Sequence, residues 1–343
     1  MEKPLVSIII LNYNAGDFLE ECISSIESSN YDNYEIILVD NNSHDQSHLK
    51  CKKRFPKIKL IQNSTNLGYC EGNNVGIRNS KGEFIIILNP DTIIDHSCIS
   101  NLILAHNENG NGLYQPKICW LRDKTTILST GNFIQLFGFG FARDKGLKNE
   151  NYSKIEKIGY PSGTCIFTSM EIMKKLCMFD PFIFLYHDDL DLGWRAQQLG
   201  IDSFFVPSAI VYHEESYNLR WSAKKFYWLE RNRKYCLLTH YSKETYKKII
   251  PYLVLIDILV WLFYLMKGFP IAKLKAEIDI WKNKKKIQSR CLEIKKSRIR
   301  SDKEIMKDFS DNIWIPKSLG NDFQGRIFNK IIQNLAKKAR KKF

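Results

Sequence analysis

The first hundred residues alternate between short apolar runs and more polar segments whose apolar residues recur at helical spacing. The apolar runs occupy residues 5–11, 34–40, 57–63 and 82–91. Residues 16–29 and 73–80, which lie between these runs, fit helices. This alternation with short links is typical of βαβ units, in which helices cover both faces of a parallel sheet. The pattern therefore predicts an α/β fold with a mixed, mostly parallel sheet flanked by helices.

The rest of the chain predicts a loop-rich insert, a return to strands, and then helices alone. Residues 112–159 are rich in glycine and aromatic residues without a clean period, which favours loops lying over the crevice of the sheet. Residues 163–176 indicate a strand that runs into a helix, and residues 202–216 indicate extended segments. Beyond about residue 220 the sequence is basic and helical. We therefore predict a sheet domain over 1–220 and a helical region over 221–343.

Polar side chains collect where the predicted strands stop. Ligands of an open parallel sheet bind beyond the carboxyl ends of its strands, so these side chains are expected to share one crevice. They are Asn12, Asn14, Asp40, Asn41, Asn42, Asn89 and Asp91. The sequence contains neither G-x-G-x-x-G after its first strand nor G-x-x-x-x-G-K-[ST]. A nucleotide bound in this crevice would need another neutralising group, and a divalent cation held by Asp91 is the leading candidate.

A cluster of aspartates stands out in "FLYHDDLDLGWRAQQLG", residues 184–200. Part of it has a structural explanation, because Asp188 and Asp191 fit the start of a helix and satisfy its backbone N–H groups. Asp191 also precedes Arg195 by four residues, which predicts a surface ion pair. Gly200 fits the end of the same helix. Asp189 serves none of these purposes and is the candidate for chemistry.

Composition narrows the class of protein. The nine cysteines are scattered without paired spacing, which favours reduced thiols in a cytosolic compartment over disulfides or a zinc site. The start, "MEKPLVSIIILNYN", indicates a buried strand rather than a signal peptide. The net charge of +14 is concentrated in residues 281–300 and in the ending "AKKARKKF". No nucleic-acid-binding signature accompanies this charge, so nucleic acid is not an expected partner.

Residues 249–269 form an apolar stretch directly before the basic segment. It is close to the roughly 20 residues that a membrane span needs, but Pro251 and Asp257 interrupt it. A helix on the membrane surface, a buried core helix and a true span all remain open. The lysines and arginines that follow would suit the anionic cytoplasmic face of a membrane. The expected location is therefore the cytoplasm, peripheral or monotopic at the inner face of the membrane.

Several motifs, in order, resemble glycosyltransferase family 2 and especially its rhamnosyltransferase-type members. They are "SIIILNYN", "EIILVDNNSHDQS", "NLGYCEGNNVGI", "IIILNPDT", "YPSGTCIF", "FLYHDDLDLGWRAQQLG" and "VYHEES". The resemblance covers roughly residues 5–240 and implies the GT-A fold. It further implies a nucleotide-sugar-binding half over 1–111 and an acceptor half over 112–220 that carries the metal and base residues. The region from 221 onward would be membrane-associating.

The resemblance assigns the donor and metal side of the site. Asp40 matches a residue that binds the nucleotide base, although an Asx-turn would also explain it. "NPD" stands in place of the family's D-x-D motif, so Asp91 would hold Mg²⁺ or Mn²⁺ and His213 would complete the metal site. Asn89 departs from the usual aspartate. The remaining donor-binding candidates are Asn14, Asn42 and Asn74, the last with a helix-terminal hydrogen bond as its alternative.

The resemblance also separates the aspartates of the cluster. Asp189 matches the general base that deprotonates the acceptor hydroxyl in an inverting transfer. Asp188 stands where glutamate is common, and His187 has no assigned role. Acceptor contact or support is the expected role of four neighbouring residues. They are Asp188, Asp191, Trp194 and Arg195.

The implied activity is inverting, metal-dependent transfer of a sugar from a nucleotide-sugar to a hydroxyl of a lipid-linked glycan in cell-surface polysaccharide synthesis. The first candidate donor is dTDP-rhamnose, and UDP-linked hexoses or galactofuranose are the alternatives. Two other classes were weighed. A sugar nucleotidyltransferase would need a glycine-rich, lysine-bearing loop that "LNYNAGDF" does not supply, and a non-catalytic membrane-associated binding protein would have gaps among the acids.

Overall fold

The computed structural model describes residues 3–149, 152–214, 222–313 and 323–343. Its contacts divide the chain into two compact units. The first consists of Met1–Asn132, Ala142–Ala196 and Ile201–Glu215, and the second of Phe133–Phe141, Gln197–Gly200 and Ser216–Phe343. The predicted domain boundary at residue 220 and the end of the "VYHEES" motif lie outside the described residues. That boundary therefore stays a prediction.

The first unit is built around one mixed sheet. Its strands are β1 (Val6–Asn12), β2 (Tyr34–Asp40), β3 (Lys59–Gln62), β4 (Phe84–Leu88), β5 (Thr92–Ile94), β6 (Leu113–Trp120), β7 (Ile127–Ser129), β10 (Glu156–Ile158), β11 (Cys165–Ser169) and β12 (Ser203–His213). A separate two-stranded sheet, β8 (Asn132–Ile134) and β9 (Gly140–Ala142), belongs mostly to the second unit. The main order is β10-β12-β6-β11-β4-β1-β2-β3, with β5 beside β12 and β7 beside β6. β1 pairs in parallel with both β2 and β4, whereas β11 joins β4 in the antiparallel sense.

Helices connect and flank these strands. They are α1 (Phe18–Glu27), α2 (Ser47–Arg54), α3 (Gly68–Arg78), α4 (Cys98–Asn109), α5 (Met170–Lys175) and α6 (Asp188–Gln198). Parallel strands need such crossovers, and the predicted α/β fold is confirmed. The apolar runs form the core because side chains on both faces of the sheet are covered, and Ile8, Ile9 and Ile10 are all fully buried.

The prediction of a loop-rich insert over residues 112–159 was wrong for its first part. Residues Leu113–Trp120 form β6, a central strand between β12 and β11. Its sequence, LYQPKICW, does not indicate a central strand, because a proline such as Pro116 usually occurs in an edge strand or outside strands. Gln115 and Lys117 are polar and yet buried. Two hydrogen bonds offset the cost of burying Gln115, because its amide nitrogen donates to Ser129 at 3.0 Å and its Oε1 accepts from the Ser162 N–H at 2.7 Å.

The second unit is mainly helical, as the sequence predicts beyond residue 220. Its helices are α7 (Ala223–His240), α8 (Lys243–Met266), α9 (Pro270–Lys282), α10 (Lys284–Ser297), α11 (Asp302–Ile305), a 3-10 turn (Met306–Asp308) and α12 (Phe323–Arg340). Among the described residues, α8 is the one helix long and apolar enough to cross a membrane, by length and composition alone. It contains residues 249–266 of the predicted apolar stretch 249–269, and Pro251 lies inside it.

Candidate active site

Three strands of the first unit end side by side at one edge of the sheet. Asn12 at the end of β1 lies opposite Asp40 at the end of β2, and Leu88 at the end of β4 lies opposite Ile10. Because adjacent strands are about 4.8 Å apart, the ends of β2 and β4 are separated by about 10 Å. The strand ends that carry the predicted crevice residues are therefore neighbours.

Asp40 is held by a compact hydrogen-bond network. Its Oδ1 accepts from the Asn12 amide at 2.8 Å, and its Oδ2 accepts from the backbone N–H of Ser43 at 3.0 Å. The Nδ1 of His48 lies 3.3 Å from Oδ1. The carboxylate is almost completely buried and fixed in one orientation. The bond to Ser43 is the turn-stabilising contact that the alternative explanation of Asp40 requires, and the same network presents the residue rigidly at the strand end.

The two loops beside Asp40 carry Asn14 and Asn42, which both adopt a left-handed backbone conformation with φ of 54° and 63°. Asparagine tolerates this conformation better than most residues. Asn14 joins the loops, because its side-chain oxygen accepts from the backbone N–H of His44 at 2.8 Å and its own N–H donates to Ser43 at 3.0 Å. Asn42 is exposed at the surface of this edge. Their donor-binding roles stay predictions.

Asp91 and His213 face each other although they are 122 positions apart in the sequence. The antiparallel pairing of β5 with β12 places His213 opposite Thr92, the residue after Asp91. The Nε2 of His213 lies 3.3 Å from Oδ1 of Asp91, and the side chains retain 12% and 15% of their exposure. One imidazole nitrogen and one carboxylate oxygen at this separation are suitable ligands for a divalent cation. The structure thus brings together the two residues predicted to hold the metal.

Asn89 lies two residues before Asp91 and is fixed through its backbone. Its N–H donates to the carbonyl of Thr164 at 3.0 Å, and its own carbonyl accepts from the hydroxyl of Thr92 at 2.7 Å. The side chain is half-buried. A neutral amide at this position leaves Asp91 as the acid of the "NPD" segment, so the cation would receive less negative charge from the protein than from a D-x-D pair.

The aspartate cluster starts helix α6. Tyr186 and His187 both have positive φ, 65° and 63°, and the carbonyl of His187 accepts from the N–H of Asp191 at 2.9 Å. His187 therefore occupies the capping position by its backbone, and Asp188 is the first helical residue. Left-handed residues with side chains of this size are uncommon, and strained backbone of this kind is more frequent at functional sites.

Asp189 points toward the strand that follows the "YPSG" segment. Its Oδ2 accepts from the backbone N–H of Gly163 at 3.1 Å, and its Oδ1 accepts from the N–H of Leu190 at 2.8 Å. Burial nevertheless raises the pKa of Asp189 above its usual range. Burial and the charge of Asp189 raise the pKa of Asp188 well above its usual range. The two carboxyls form a coupled pair in which a proton is retained more readily than on an exposed aspartate.

Two further residues shape this pair and were not singled out from the sequence. The hydroxyl of Tyr69 donates to the carbonyl of Gly163 at 2.5 Å, and burial together with both aspartates raises its pKa well above the usual range. A Cβ on Gly163 would lie 3.0 Å from Oδ2 of Asp188 and 3.1 Å from the Tyr69 oxygen. A side chain at position 163 would therefore crowd both oxygens. Tyr69 belongs to the motif "NLGYCEGNNVGI" and Gly163 to "YPSGTCIF". Membership of these motifs was the sequence feature that could have identified them.

Asp191, Arg195 and Trp194 lie in the interior of the first unit. Asp191 accepts from Nε and Nη2 of Arg195 at 2.9 and 2.7 Å, which confirms the predicted pair. The prediction that this pair is on the surface was wrong, because both side chains are almost fully buried and Arg195 also donates to the carbonyl of Leu176. Trp194 is fully buried. These contacts support the helix, and acceptor contact stays a prediction.

Asn74 connects α3 to the loop that leads into α6. Its amide nitrogen donates to the carbonyl of Phe179 at 2.9 Å, and its oxygen accepts from the N–H of the same residue at 3.0 Å. The N–H of Tyr69 donates to the carbonyl of Phe184 at 2.7 Å. Helix α3 therefore holds the loop before Asp188 at two points. Donor binding by Asn74 stays a prediction, and the observed contacts give it a positioning role for the aspartate cluster.

Short connections join Asp189, the predicted base, to Asp91 and His213, the predicted metal ligands. Gly163 binds Asp189, and the adjacent Thr164 binds the N–H of Asn89, which lies two residues before Asp91. The carboxyl end of β4 thus links the aspartate pair to the Asp91–His213 pair. This edge combines the partly buried carboxyl of Asp189, suited to accept a proton, with an acid and a histidine suited to hold a cation. This combination supports group transfer at a phosphorylated ligand.

Comparisons with known proteins find glycosyltransferases among the relatives of this chain. An "Uncharacterized glycosyltransferase" of Haemophilus influenzae is 36% identical over 109 residues, which are 31% of this chain and 34% of that relative, so the chain spans about a third of its length. The N-acetylglucosaminyl-diphospho-decaprenol L-rhamnosyltransferase of Mycobacterium tuberculosis (strain CDC 1551 / Oshkosh) is 24% identical over 241 residues, 62% of this chain and 77% of the relative.

A solved structure supports the fold, and a family model supports the family. The crystal structure of GalNAc-T7 with UDP, GalNAc and Mn²⁺ superimposes with a TM-score of 0.61 at 16% identity, covering 89% of this chain and 56% of that one. This likeness confirms the GT-A fold. The family model "Glycosyl transferase family 2" matches residues 7–177, which include Asp40, Asn89 and Asp91 and about half of the chain. The chain therefore belongs to glycosyl transferase family 2.

Proposed function

We propose that the protein is an inverting, metal-dependent glycosyltransferase that moves a sugar from a nucleotide-sugar to a hydroxyl of a lipid-linked glycan in cell-surface polysaccharide synthesis. The observation that carries this proposal is the linkage of Asp189 to the Asp91–His213 pair at the carboxyl end of β4. This edge contains a proton acceptor and a candidate cation site, which are the two functions that a direct displacement at the anomeric carbon requires from the protein.

Asp189 is the proposed base. As the acceptor hydroxyl oxygen attacks the anomeric carbon, its proton passes to a carboxylate oxygen of Asp189 and the bond to the donor phosphate oxygen breaks. The sugar configuration inverts because attack and departure occur on opposite faces. A raised pKa suits Asp189 to this task, since a carboxylate that binds a proton more strongly is a better acceptor near neutral pH. The Gly163 N–H keeps the carboxylate oriented.

Asp91 and His213 fit a divalent cation, Mg²⁺ or Mn²⁺. Their facing oxygen and nitrogen, 3.3 Å apart and partly exposed, offer two ligands and leave room for others from the substrate. When bound, the cation would neutralise the charge that develops on the departing nucleoside diphosphate. Mn²⁺ occurs in the related GalNAc-T7 structure. Asn89 would contribute a hydrogen bond to the donor rather than charge.

The nucleotide end of the donor is proposed to lie along the loops after β1 and β2. Asp40 is rigidly presented there by Asn12 and Ser43 and would accept a hydrogen bond from the base. Asn14 and Asn42 line the same loops in left-handed conformations. The first candidate donor is dTDP-rhamnose, supported by the rhamnosyltransferase of M. tuberculosis. A UDP-sugar is the second candidate, supported by UDP in the GalNAc-T7 structure.

The acceptor is proposed to be lipid-linked and met at the cytoplasmic face of the membrane. The name of the M. tuberculosis relative, which includes diphospho-decaprenol, supports a lipid-linked acceptor. The apolar helix α8 and the basic residues that follow it support a location at the membrane. The protein would then bring its donor from the cytoplasm to a substrate anchored in the lipid.

One experiment tests this proposal directly. The full chain is incubated with Mg²⁺ or Mn²⁺ and separately with dTDP-rhamnose, UDP-hexoses and UDP-galactofuranose, with and without membrane lipid extract. We expect release of nucleoside diphosphate with one donor, dependent on the cation and increased by the lipid extract. No release with any donor under either cation would contradict the enzyme proposal. Production of inorganic diphosphate from a sugar phosphate and a nucleoside triphosphate would instead identify a nucleotidyltransferase.

A further inference from the structure

Helices α8 and α9 expose apolar side chains in two stripes. On α8 the exposed residues follow helical spacing, and Val254, Ile258 and Leu262 retain 54%, 52% and 51% of their accessible surface. Leu265 and Met266 extend the stripe to the end of the helix. On α9 the exposed stripe is also regular. It consists of Ile271, Leu274, Ile278 and Trp281. Exposed apolar residues in such numbers mark an interaction surface rather than ordinary scatter.

A network of charged residues fixes α8 to its neighbours. Lys273 of α9 is fully buried, and its Nζ lies 2.6 Å from Asp257 of α8, 2.6 Å from Glu230 of α7 and 2.5 Å from Glu277. Lys234 of α7 also binds Asp257, at 3.0 Å. Asp257 is the acid that interrupts the apolar stretch. It serves as the point at which α8 is tied to α7 and α9, so α8 cannot enter a bilayer alone without leaving buried charges unpaired.

In α8 and α9 most acids are bound by cations, whereas the exposed charges are mostly lysines. The four acids of α8 and α9 are Glu244, Asp257, Glu277 and Asp279. Three of them bind cations, since Asp257 and Glu277 bind Lys273 and Asp279 binds Arg231 at 2.8 Å. The exposed charges are mostly lysines at the ends or edges of the apolar stripes. They are Lys247, Lys248, Lys275 and Lys282, and Lys284, Lys285 and Lys286 follow directly.

We propose that α8 and α9 dock on an anionic lipid bilayer with α8 lying in the plane of the membrane surface rather than spanning it. The exposed apolar stripes enter the boundary between headgroups and acyl chains, and the lysines pair with anionic headgroups. Charge complementarity favours a bilayer over a protein partner because the apolar face is flanked by many exposed lysines. This inference deepens the proposed function. It rests on that function in one respect, because a lipid-linked acceptor would explain why the protein docks on a bilayer.

Flotation with vesicles tests the docking surface. The full chain is mixed with vesicles of equal parts phosphatidylcholine and phosphatidylglycerol or of phosphatidylcholine alone. We expect binding to the anionic vesicles, and Val254→Ser/Ile258→Ser/Leu262→Ser should lower the bound fraction by at least about tenfold. The matched control is Leu49→Ser/Leu104→Ser, which removes two similarly exposed leucines from the first unit and should bind as wild type. Equal binding of the triple variant, or equal binding to both vesicle types, would overturn the proposal.

Cysteine labelling distinguishes a helix in the membrane plane from a span. Lys267, exposed just after α8, is changed to cysteine in a chain carrying Cys177→Ser, because Cys177 is the exposed thiol among the described cysteines. Intact cells are treated with a membrane-impermeant maleimide before and after lysis, and the Cys177→Ser chain is the blank. A helix in the plane leaves residue 267 on the cytoplasmic side, so we expect labelling only after lysis. Labelling of intact cells would show a span and overturn the proposal.

These tests do not depend on catalysis. Vesicle binding and cysteine labelling need neither donor nor acceptor, so the docking proposal can fail while nucleoside diphosphate is still released. Conversely, an inactive protein that binds anionic vesicles through α8 would leave docking intact and refute the transferase proposal. Urea unfolding of the triple variant shows whether it is folded. Each outcome therefore bears on one of the two proposals.

Discussion

Two clusters of buried carboxyls, one in each unit, have opposite electrostatic surroundings. Asp188 is buried and Asp189 partly buried, Asp189 accepts hydrogen bonds from backbone N–H groups, and burial raises the pKa of both. Glu230 and Asp257 are also buried to a large extent. Burial would raise their pKa as well, but Arg233 and Lys273 at Glu230, and Lys273 and Lys234 at Asp257, hold both pKa values below the usual range.

This difference separates a reactive site from a structural one. Carboxyls matched with cations are stable as ions and contribute to holding helices together, provided that every partner is present. Carboxyls whose charged form is disfavoured are poised to take up a proton, which is a property of functional sites more than of structural ones. The sequence indicated only the first cluster, because Asp188, Asp189 and Asp191 are near neighbours in the chain, whereas Glu230, Asp257 and Glu277 come together only in the folded protein.

The largest effect is expected from Lys273→Met in the paired cluster. The substitution keeps most of the side-chain volume but removes the cation shared by Glu230, Asp257 and Glu277. Leaving buried charges uncompensated typically costs about 3–5 kcal/mol of unfolding free energy. Urea unfolding measures the loss. Lys275→Met, two residues along on the exposed side of α9, is the matched control and should change the unfolding free energy by less than about 0.5 kcal/mol. Equal small effects would mean that the network contributes little to stability.

The next largest effect concerns the base. Asp189→Asn keeps the shape of the side chain and can still accept from the Gly163 N–H, but it cannot take the acceptor proton. Transfer should fall by at least about a hundredfold, equivalent to about 2.7 kcal/mol, while donor binding is retained. Nucleoside diphosphate release and equilibrium donor binding are measured side by side. Asp202→Asn, at a partly exposed carboxylate in the same unit, is the control. Near-normal turnover of Asp189→Asn would remove the assignment.

Much of the fold could be predicted because its core strands are continuous apolar runs. Ile8, Ile9 and Ile10 are buried on both faces of the sheet, so their pattern reports the strand without any partner information. Strand β6 could not be predicted in the same way. Its polar Gln115 is buried because it bonds Ser129 and Ser162, and those partners lie 14 and 47 positions away. The local pattern of apolar and polar residues does not indicate hydrogen bonds to residues so far along the chain.

The site shows the same limit. Asp91, Asp189 and His213 were identified because they stand in recognisable motifs, and the structure confirms that Asp91 and His213 face each other. Tyr69 was missed because its role depends on Gly163, which is 94 positions away and approaches it only in the folded chain. Likewise, Asp257 looked from the sequence like an interruption of an apolar helix, whereas it is bound by Lys273 from the next helix.

A smaller effect is expected at the candidate metal ligand. His213→Ala removes the nitrogen that faces Asp91 and should lower turnover at limiting Mn²⁺ by at least about tenfold, the size of effect seen when metal-site partners are removed. High Mn²⁺ should recover part of the activity, because Asp91 remains. Activity is measured across a Mn²⁺ titration, with His96→Ala at an exposed histidine as the control. An unchanged Mn²⁺ dependence would show that His213 is not a ligand.

The smallest expected effect is that of Asp188→Asn on the pH dependence of transfer. A base with a raised pKa loses activity as the pH falls through that pKa, because the protonated carboxyl cannot accept another proton. Burial raises the pKa of Asp189, whereas burial and the charge of Asp189 together raise the pKa of Asp188, so Asp189 loses its proton while Asp188 still holds its own. Asp188→Asn therefore replaces a neutral carboxyl by a neutral amide and should leave the acid limb of the kcat/KM profile nearly in place. Glu230→Gln, in the cluster already compensated by cations, is the control and should not move that limb either. A shift of the acid limb to lower pH in Asp188→Asn would show that Asp188 is charged when Asp189 takes up its proton, and would contradict this order of ionisation.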